Sequence, residues 1–237
     1  MLQGSFNIRG LKTKSGDTWV FRSAALDDAT EKDFETLSAF GVTQVIDLRS
    51  RGERGIIRHP FAQTVLPLYG EDALPPEHGD LEEIYQSILT QSGALIAEAA
   101  HIVASNSGVT LIHCRVGKDR TGLVIALIAL ASGAEEAEVL EDYALSGAEV
   151  RKNTADAVEQ ELAALNLSAD DHAKALELHL ESPVKALQQT LAWISANFGS
   201  VTEYLLKFGL SEADLTKLRA KYRDASTTTK PEEVSQR

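Results

Sequence analysis

The stretch from Val109 to Gly122 constrains the fold of this chain more than any other. It begins with a short apolar run rich in β-branched residues, which predicts a buried strand, and the apolar segment 123–131 that follows predicts a buried helix. Between the two lies the single cysteine of the protein, Cys114, followed by an arginine and a threonine in the spacing Cys-x5-Arg-Thr. The pattern therefore predicts a cysteine on a short loop between a strand and the N-terminus of a helix.

Such a loop has a specific chemistry. Its consecutive backbone N–H groups point into one concavity with the positive end of the helix dipole behind them, so it binds a tetrahedral oxyanion. Arg120 can add a bidentate contact to this anion, and Cys114 lies in the same positive field, which favours the thiolate. Thr121 is placed to hydrogen-bond the sulfur, and His113 to order the loop by hydrogen bonds to its carbonyls. The residues thus predict a thiolate directed at the phosphorus of a bound phosphate ester, and the alternative is a buried structural thiol in a glycine-containing turn.

The stretch resembles the phosphate-binding loop of the cysteine-based protein tyrosine phosphatase superfamily, His-Cys-x5-Arg-Ser/Thr. The longer string His113-Cys-x-x-Gly-Lys-Asp-Arg-Thr-Gly122 is similar to the bacterial and mycobacterial branch of tyrosine/serine and phosphoinositide phosphatases. Three further segments are similar to this branch: Asn7-x-Arg9 with Phe21-Arg22-Ser23-Ala24-x-Leu26, Val45-Ile46-Asp47-Leu48-Arg49-Ser50, and Gly199-Ser-Val-x-x-Tyr-Leu205. The resemblance spans about residues 5–222 and implies a tyrosine-phosphatase-like fold and a metal-independent phosphatase that forms a cysteinyl-phosphate.

A phosphomonoester needs its leaving oxygen protonated, so the reaction requires a general acid. The resemblance implies Asp119, inside the loop, for this proton transfer. Two other aspartates are candidates: Asp72 lies in a segment where a mobile loop could be, and Asp47 lies at a strand end. For Asp47, a structural salt bridge with Arg22 or Arg49 is the favoured interpretation.

The basic residues indicate which substrates such a site would accept. Lys118, beside Arg120 in the loop, favours a second negative group near the scissile phosphate, as in phosphoinositides or acidic phosphopeptides, and the alternative is a solvated lysine. Arg49 is the one arginine of the segment 49–58 that we expect to extend this basic site. Phosphotyrosine is the first substrate prediction, and phosphoserine, phosphothreonine and phosphoinositides stay open. The candidate phosphate-binding residues are Asp47, Arg49, His113, Arg115, Val116, Gly117, Lys118 and Thr121.

Two other functions also use a cysteine or an arginine in an anion-binding loop. One is a module that recognises phosphorylated partners without turnover, but such a module would have no need to keep the nucleophile. The other is a rhodanese-like sulfurtransferase. Thr121 and the Lys-Asp-Arg run favour a phosphatase over this alternative, because they suit a bound phosphate better than a persulfide.

The order of the predicted elements indicates an α/β fold with a central, mostly parallel sheet flanked by helices and with a helical C-terminal part. Residues 1–18 are polar with turn signals, and strands are predicted at 19–23, 42–48, 64–68 and 109–113. Helices are predicted at 31–40, 80–104 (possibly in two pieces around Gly93), 121–132, 135–147, 148–165, 184–198, 200–207 and 211–222. The segment 80–104 is either a lid over the site or an ordinary packed helix. We assign 1–224 to a single phosphatase domain, with a core of about 1–147 and a helical extension at 148–224, and 225–237 to a disordered tail.

Composition limits the partners and the compartment. The net charge of −12 argues against nucleic-acid binding, and the basic residues of segments 49–59 and 115–120 predict a local basic basin on an acidic body. A single cysteine excludes an internal disulfide, and the histidines lack ligand spacing, so neither a metal nor another cofactor is implied. The N-terminus has no signal-peptide pattern and no apolar run is long enough to span a bilayer. We therefore expect a cytoplasmic protein without stable membrane insertion, with export by another route left open and the oligomeric state unknown.

Overall fold

A five-stranded sheet lies at the centre of the computed structural model, which describes residues 2–55, 58–76 and 79–223. The strands are β1 (Arg9–Lys12), β2 (Thr18–Ser23), β3 (Val42–Asp47), β4 (Ala62–Val65) and β5 (Val109–His113). Their spatial order is β1-β2-β5-β3-β4, in which β2, β5, β3 and β4 are parallel neighbours and β1 is antiparallel to β2. The prediction of an α/β fold with a mostly parallel sheet is therefore confirmed.

Two strands differ from the sequence prediction. The polar N-terminal segment, for which no strand was expected, contributes β1, and Arg9 on this edge strand lies opposite Arg22 on β2. Strand β4 starts before residue 64 and ends at Val65, whereas the prediction extended it to residue 68. Beyond this end, single backbone hydrogen bonds still join Leu66 to Asp47 at 2.8 Å and Leu68 to Leu48 at 3.3 Å.

Helices surround the sheet in the described part of the chain. They are α1 (Glu31–Ala39), α2 (Leu81–Gln91), α3 (Gly93–Ser105), α4 (Asp119–Ser132), α5 (Glu136–Ala163), α6 (Ala169–Leu180), α7 (Val184–Phe198), α8 (Val201–Lys207) and α9 (Glu212–Arg223), with a 3-10 turn at Arg51–Glu53. The predicted interruption of the segment 80–104 at Gly93 is confirmed, since α2 and α3 meet there. None of these helices combines the length and the apolar character that a membrane span needs.

Helix α5 runs without a break through Gly147, where the sequence analysis ended one helix and began another. A Cβ atom on Gly147 would lie 3.0 Å from the backbone nitrogen of Ser182. The glycine therefore marks the close approach of another segment to the helix rather than a helix end. The prediction of two helices at 135–147 and 148–165 is wrong for this reason.

Helix α6 occupies a region for which no helix was predicted. Residues 166–183 lie between two predicted helices, but Ser168 caps the new helix by accepting a hydrogen bond from the backbone N–H of Asp171. Polar residues at a helix start and in a loop have similar composition, and here they start a helix. This helix matters for the site because its C-terminus contacts the loop between β5 and α4.

The helical C-terminal part packs on the core. Helix α4 is buried along almost its whole length, and α9 packs against both α3 and α4. The predicted pair of short helices near the C-terminus is confirmed as α8 and α9, and their predicted packing residues are all buried: Tyr204, Leu205, Leu215 and Leu218. Ser211 caps α9 through the backbone N–H of Asp214, as expected. The predicted tail at 225–237 lies outside the described residues.

Candidate active site

The loop between β5 and α4 turns its carbonyl oxygens outward. The backbone N–H of Leu48 donates to the carbonyl of residue 113 (2.9 Å) and that of Ala25 to the carbonyl of residue 115 (3.0 Å). Asn7 Nδ2 donates to the carbonyl of residue 116 (3.0 Å) and an Arg22 guanidinium nitrogen to that of residue 117 (2.7 Å). The carbonyl of residue 118 accepts from the backbone N–H of Gly122 (2.8 Å). In a planar trans peptide the next N–H points opposite to the carbonyl, so the N–H groups that follow these carbonyls point to the other side. The loop, which we call the catalytic loop (residues 113–121), therefore forms the concavity for an oxyanion that the spacing predicts.

Gly117 is required by the shape of this loop. Its φ of 71° lies in the left-handed region that side chains rarely adopt. A Cβ atom at this position would also lie 2.3 Å from the carbonyl oxygen of Ser23, at the end of β2. The glycine thus allows the loop backbone to pack directly on the neighbouring strand, which sets the height of the loop above the sheet.

Cys114 lies at the start of this concavity, with only 2% of its surface exposed. The hydroxyl of Thr121, on the first turn of α4, is fully buried and has no hydrogen-bond partner in the described part of the chain. Buried hydroxyl groups usually have a hydrogen-bond partner. The hydrogen bond expected from Thr121 to the Cys114 sulfur is therefore absent between these two described residues, and the hydroxyl stays available for a group that enters the loop.

Arg120 is held in place by a carboxylate to which the sequence analysis gave no role. The two terminal nitrogens of its guanidinium lie 2.6 and 2.7 Å from the carboxylate oxygens of Glu53, and the ring of Tyr69 lies 4.8 Å from its central carbon. Burial acts to lower the pKa of Arg120, but the Glu53 hydrogen bonds and the nearby Cys114 charge raise it above its ordinary value. The arginine is thus a permanent cation with a fixed orientation beside the cysteine.

Asp119 is the candidate general acid that lies within the catalytic loop. Its carboxylate accepts a hydrogen bond of 2.9 Å from the hydroxyl of Tyr85 on α2, and that hydroxyl lies 2.7 Å from the hydroxyl of Tyr143 on α5. Burial and the Asp119 charge raise the pKa of Tyr85 well above its ordinary value, so it stays a hydrogen-bond donor. Helix α2, the first half of the segment considered as a lid, therefore orients a carboxylate of the loop.

The other two aspartates that were considered as general acids lie elsewhere. The side chain of Asp72 is 81% exposed and pairs with Arg51 at 3.4 Å. Asp47 is buried and accepts hydrogen bonds from the backbone and the guanidinium of Arg49 at 3.0 Å, which is the salt bridge favoured for it from the sequence. Burial acts to raise the pKa of Asp47, but the hydrogen bonds and the charge of Arg49 help to hold it below its ordinary value, so the carboxylate is ionised.

His113 is the last residue of β5, and its side chain contacts the start of the loop backbone. Its Nδ1 atom is 3.2 Å from the carbonyl oxygen of Cys114, and its Nε2 atom is 3.9 Å from Asp47. Burial lowers the pKa of His113 below its ordinary value, which favours the neutral ring. A neutral ring donating to the loop backbone fits the ordering role that the sequence analysis gave this histidine.

The predicted basic basin differs from the structure, because carboxylates neutralise most of its arginines. The guanidinium of Arg49, expected to extend the site, is buried between Asp47 and Asp27. Outside the core, exposed ion pairs join Arg51 and Arg54 to Glu71 and Arg115 to Glu161. Arg120 is itself paired with Glu53, so the backbone N–H groups of the loop add positive potential beside an ion pair that is already neutral overall.

Lys118 takes neither of the two positions considered for it. Its amine is buried and donates to the carbonyl oxygens of Leu178 at 2.6 Å and Glu181 at 2.7 Å, at the C-terminus of α6. It also lies 3.3 Å from the Asp119 carboxylate. The lysine is thus neither solvated nor directed beside Arg120 toward the anion, and it ties the catalytic loop to the helix that the sequence analysis missed.

A buried network supports the loop from behind and gives a structural reason for the N-terminal Asn-x-Arg pattern. Arg22 is fully buried and donates to the Gly117 carbonyl and to the Ser146 hydroxyl, and it forms an ion pair with Asp142. Arg9 pairs with the same Asp142 carboxylate at 2.6 Å. The Asn7 side chain accepts from Arg9 and donates to the Val116 carbonyl. No set of three or more histidine, cysteine, aspartate or glutamate side chains suited to a metal ion occurs among the described residues.

A mostly parallel sheet with a Cys-x5-Arg-Thr loop at the carboxyl end of its central strand is the arrangement that the resemblance to the tyrosine phosphatases implies. A family model described as the tyrosine phosphatase family matches residues 2–224. The chain belongs to this family, whose members are phosphatases of the hydrolase class.

Two relatives illustrate the similarity. A tyrosine-protein phosphatase of Nostoc commune is 27% identical over 222 residues, covering 84% of this chain and 72% of the relative. The triple specificity protein phosphatase PtpB of Mycobacterium tuberculosis is 26% identical over 266 residues, covering 92% of this chain and 96% of the relative. Both alignments cover more than four fifths of this chain.

Proposed function

We propose that the chain hydrolyses phosphotyrosine in proteins through a cysteinyl-phosphate. The thiolate of Cys114 attacks phosphorus, the S–P bond forms, and the ester P–O bond breaks as its oxygen takes the proton of Asp119. Water then attacks phosphorus and gives a proton to Asp119, the S–P bond breaks, and inorganic phosphate leaves. The observation that supports this proposal is the joint position of Cys114, Arg120 and Asp119 on one loop, five of whose carbonyls accept hydrogen bonds from other groups.

Arg120 and the loop N–H groups would hold the nonbridging oxygens through both steps. Because Glu53 fixes the guanidinium beforehand, little reorganisation is needed when charge develops on those oxygens. The Thr121 hydroxyl, which lacks a protein partner in the described residues, would donate to the sulfur and help it leave in the second step.

Burial of the nucleophile supports phosphotyrosine as the substrate. With Cys114 only 2% exposed, a substrate must extend its phosphate into a narrow concavity, and the tyrosine ring carries the phosphate further from its backbone than serine does. The ring of Tyr69 packs against the guanidinium of Arg120, so an aromatic side chain lies next to the arginine that would hold the phosphate. The Nostoc relative is named a tyrosine-protein phosphatase, whereas PtpB is named a triple specificity phosphatase, so phosphoserine, phosphothreonine and phosphoinositide substrates belong in the test.

The test is phosphate release from a panel of phosphotyrosine and phosphoserine peptides and phosphoinositides. Cys114→Ser should abolish release, and Asp119→Asn should lower kcat by about 10²–10⁴-fold, the usual contribution of a general acid. Asp72→Asn is the matched control, since this exposed aspartate should leave kcat unchanged.

Rapid quenching of the wild-type reaction should trap phosphate on Cys114. Tight binding of a phosphopeptide without release would instead favour a recognition module, and thiocyanate formation from thiosulfate and cyanide would favour a sulfurtransferase. Equal loss of kcat in Asp119→Asn and Asp72→Asn would contradict the assignment of the general acid.

A further inference from the structure

A chain of hydrogen bonds runs from helix α5 through helix α2 to the carboxylate of Asp119. The hydroxyl groups of Tyr143 and Tyr85 lie 2.7 Å apart, and the hydroxyl of Tyr85 lies 2.9 Å from Asp119 Oδ1. Both tyrosines are fully buried. An ionised carboxylate only accepts hydrogen bonds, so Tyr85 donates to Asp119. The single proton of the Tyr85 hydroxyl is then used, and Tyr143 donates to Tyr85.

Packing fixes these two hydroxyl groups relative to the catalytic loop. A Cβ atom on Gly122, in the first turn of α4, would lie 3.0 Å from a ring carbon of Tyr143. The ring of Tyr143 therefore packs on the backbone of the helix that begins at Asp119. The neighbouring residue on α5, Asp142, forms ion pairs with two arginines behind the loop. Since both ends of the chain are anchored in this way, the chain can hold the carboxylate in one orientation.

A second donor reaches the same carboxylate oxygen. The amine of Lys118 lies 3.3 Å from Asp119 Oδ1, and its other two acceptors are carbonyl oxygens of residues 178 and 181. An ammonium group has three protons, so these three acceptors use all of them. Within the described part of the chain, no donor reaches Asp119 Oδ2. A proton on Oδ1 would face two donors, so the neutral acid carries its proton on Oδ2.

Asp119 also keeps an open side near the groups that would meet the phosphate. Its side chain is 26% exposed, although the tyrosines and the lysine that hold it are buried. Burial raises the pKa of the Tyr69 hydroxyl, although Arg120 opposes this. The charges of Asp119 and Cys114 raise it further, so both residues lie close to the ring that packs on Arg120.

We propose that Tyr85 is a positioning residue for the general acid: it holds Oδ1 of Asp119, with Tyr143 behind it, so that Oδ2 carries the proton. This inference rests on the proposed function. As the ester P–O bond breaks, the O–H bond at Oδ2 breaks and the leaving oxygen takes the proton. In the second step water bonds to phosphorus, gives a proton to Oδ2, and the S–P bond breaks. Burial raises the pKa of both tyrosines above the ordinary value, so each keeps its proton through both steps.

The test compares two phosphate esters that differ in their need for an acid. The phenolate of 2,4-dinitrophenyl phosphate is a weak base and leaves without a proton, whereas that of phenyl phosphate is a stronger base and needs one. Tyr85→Phe should lower kcat/KM for phenyl phosphate at least about tenfold, because a misplaced acid loses part of its contribution of about 10²–10⁴-fold. For the dinitrophenyl ester the loss should stay below about threefold. A purely structural role of Tyr85 would lower both values by the same factor.

Tyr204→Phe is the matched control. Tyr204 is also a fully buried tyrosine, and its hydroxyl donates to the carbonyl of Leu89 on the same helix α2 at 2.9 Å, without a contact to Asp119. This variant should change kcat/KM for both esters equally, by less than about twofold. If Tyr85→Phe does not fold, Tyr143→Phe replaces it. Removal of the donor to Tyr85 should lower kcat/KM for phenyl phosphate alone, by at least about threefold.

Asp119→Asn separates this inference from the proposed function. An equal loss for both esters in Asp119→Asn would contradict the general-acid role, and the positioning role with it. If Asp119→Asn affects phenyl phosphate selectively but the tyrosine variants do not, Asp119 is the acid and the role of Tyr85 is overturned. A selective loss of the same size in Tyr204→Phe would also overturn it, since any disturbance of α2 would then be sufficient.

Discussion

The ion pair between Arg120 and Glu53 gives a sharp prediction, because both side chains are only 5% exposed. Glu53→Gln keeps the shape of the side chain and one acceptor oxygen, but it leaves the Arg120 cation buried without its counter-charge. Breaking a buried pair from one side costs about 3–5 kcal/mol. Since the amide still accepts one hydrogen bond, we expect a loss at the lower end, about 3 kcal/mol of unfolding free energy.

The measurement is urea unfolding of the wild type and two variants, followed by circular dichroism. Glu71→Gln is the matched control, because Glu71 also pairs with an arginine, Arg54, but is 41% exposed on the surface. Water solvates such a pair already, so this control should unfold close to the wild type. If the two variants lose equal stability, the Arg120–Glu53 pair does not carry the energy that its burial implies.

Activity measurements on Glu53→Gln distinguish a role of Glu53 in orienting Arg120 from a role in stabilising the fold. At a temperature where wild type and Glu53→Gln are both folded, the misaligned Arg120 should lower kcat/KM by about 10²–10³-fold, the typical effect of losing a donor to developing charge. A variant that is less stable but fully active when folded would show that Glu53 supports the fold without orienting Arg120.

Three further predictions follow from contacts of the catalytic loop and of the cap of α1. Gly117→Ala should fold but lose affinity for orthovanadate at least tenfold in calorimetry, because its Cβ would clash with the Ser23 carbonyl and shift the loop. Asp33→Asn, at the cap of α1, should cost about 1–2 kcal/mol at pH 7. Burial acts to raise the pKa of Asp33, but the hydrogen bonds it accepts lower it to about 2, so in urea titrations this difference should hold above pH 4 and shrink as the pH falls toward 2. Lys118→Met should cost about 1–3 kcal/mol in the same titrations and speed proteolysis of α6, since it leaves two carbonyls of that helix without a donor.

The sequence predicted the loop well because its chemistry is local. Cys114, Gly117 and Thr121 are positioned by a strand that ends and a helix that begins within nine residues of each other, and both elements have clear apolar signals. The parallel arrangement of the sheet followed from the alternation of strands and helices along the chain. These parts of the fold need no information from distant residues.

The electrostatics of the site could not be predicted in the same way, because they depend on distant partners. Glu53 lies 67 residues before Arg120, and Asp27 lies 22 residues before Arg49. From the sequence, both arginines appeared as free cations of one basic basin. The sequence shows which charged residues form a cluster but not which of them pair with each other. The sign of the electrostatic field at a site can therefore be determined only from the tertiary structure.

Lys118 shows how one missed helix changes the substrate argument. A lysine within an anion-binding loop is expected to face the anion or the solvent, unless another element supplies acceptors. Helix α6 supplies them, because the last carbonyls of a helix have no partners within it and lie at the negative end of its dipole. The Lys118 amine therefore pairs with the carbonyl groups at the end of α6. The predicted preference for substrates with a second anionic group depended on this lysine and so loses its support. The proposal of phosphotyrosine therefore rests on the burial of Cys114 and on the ring of Tyr69 beside Arg120, and not on a second cation in the loop.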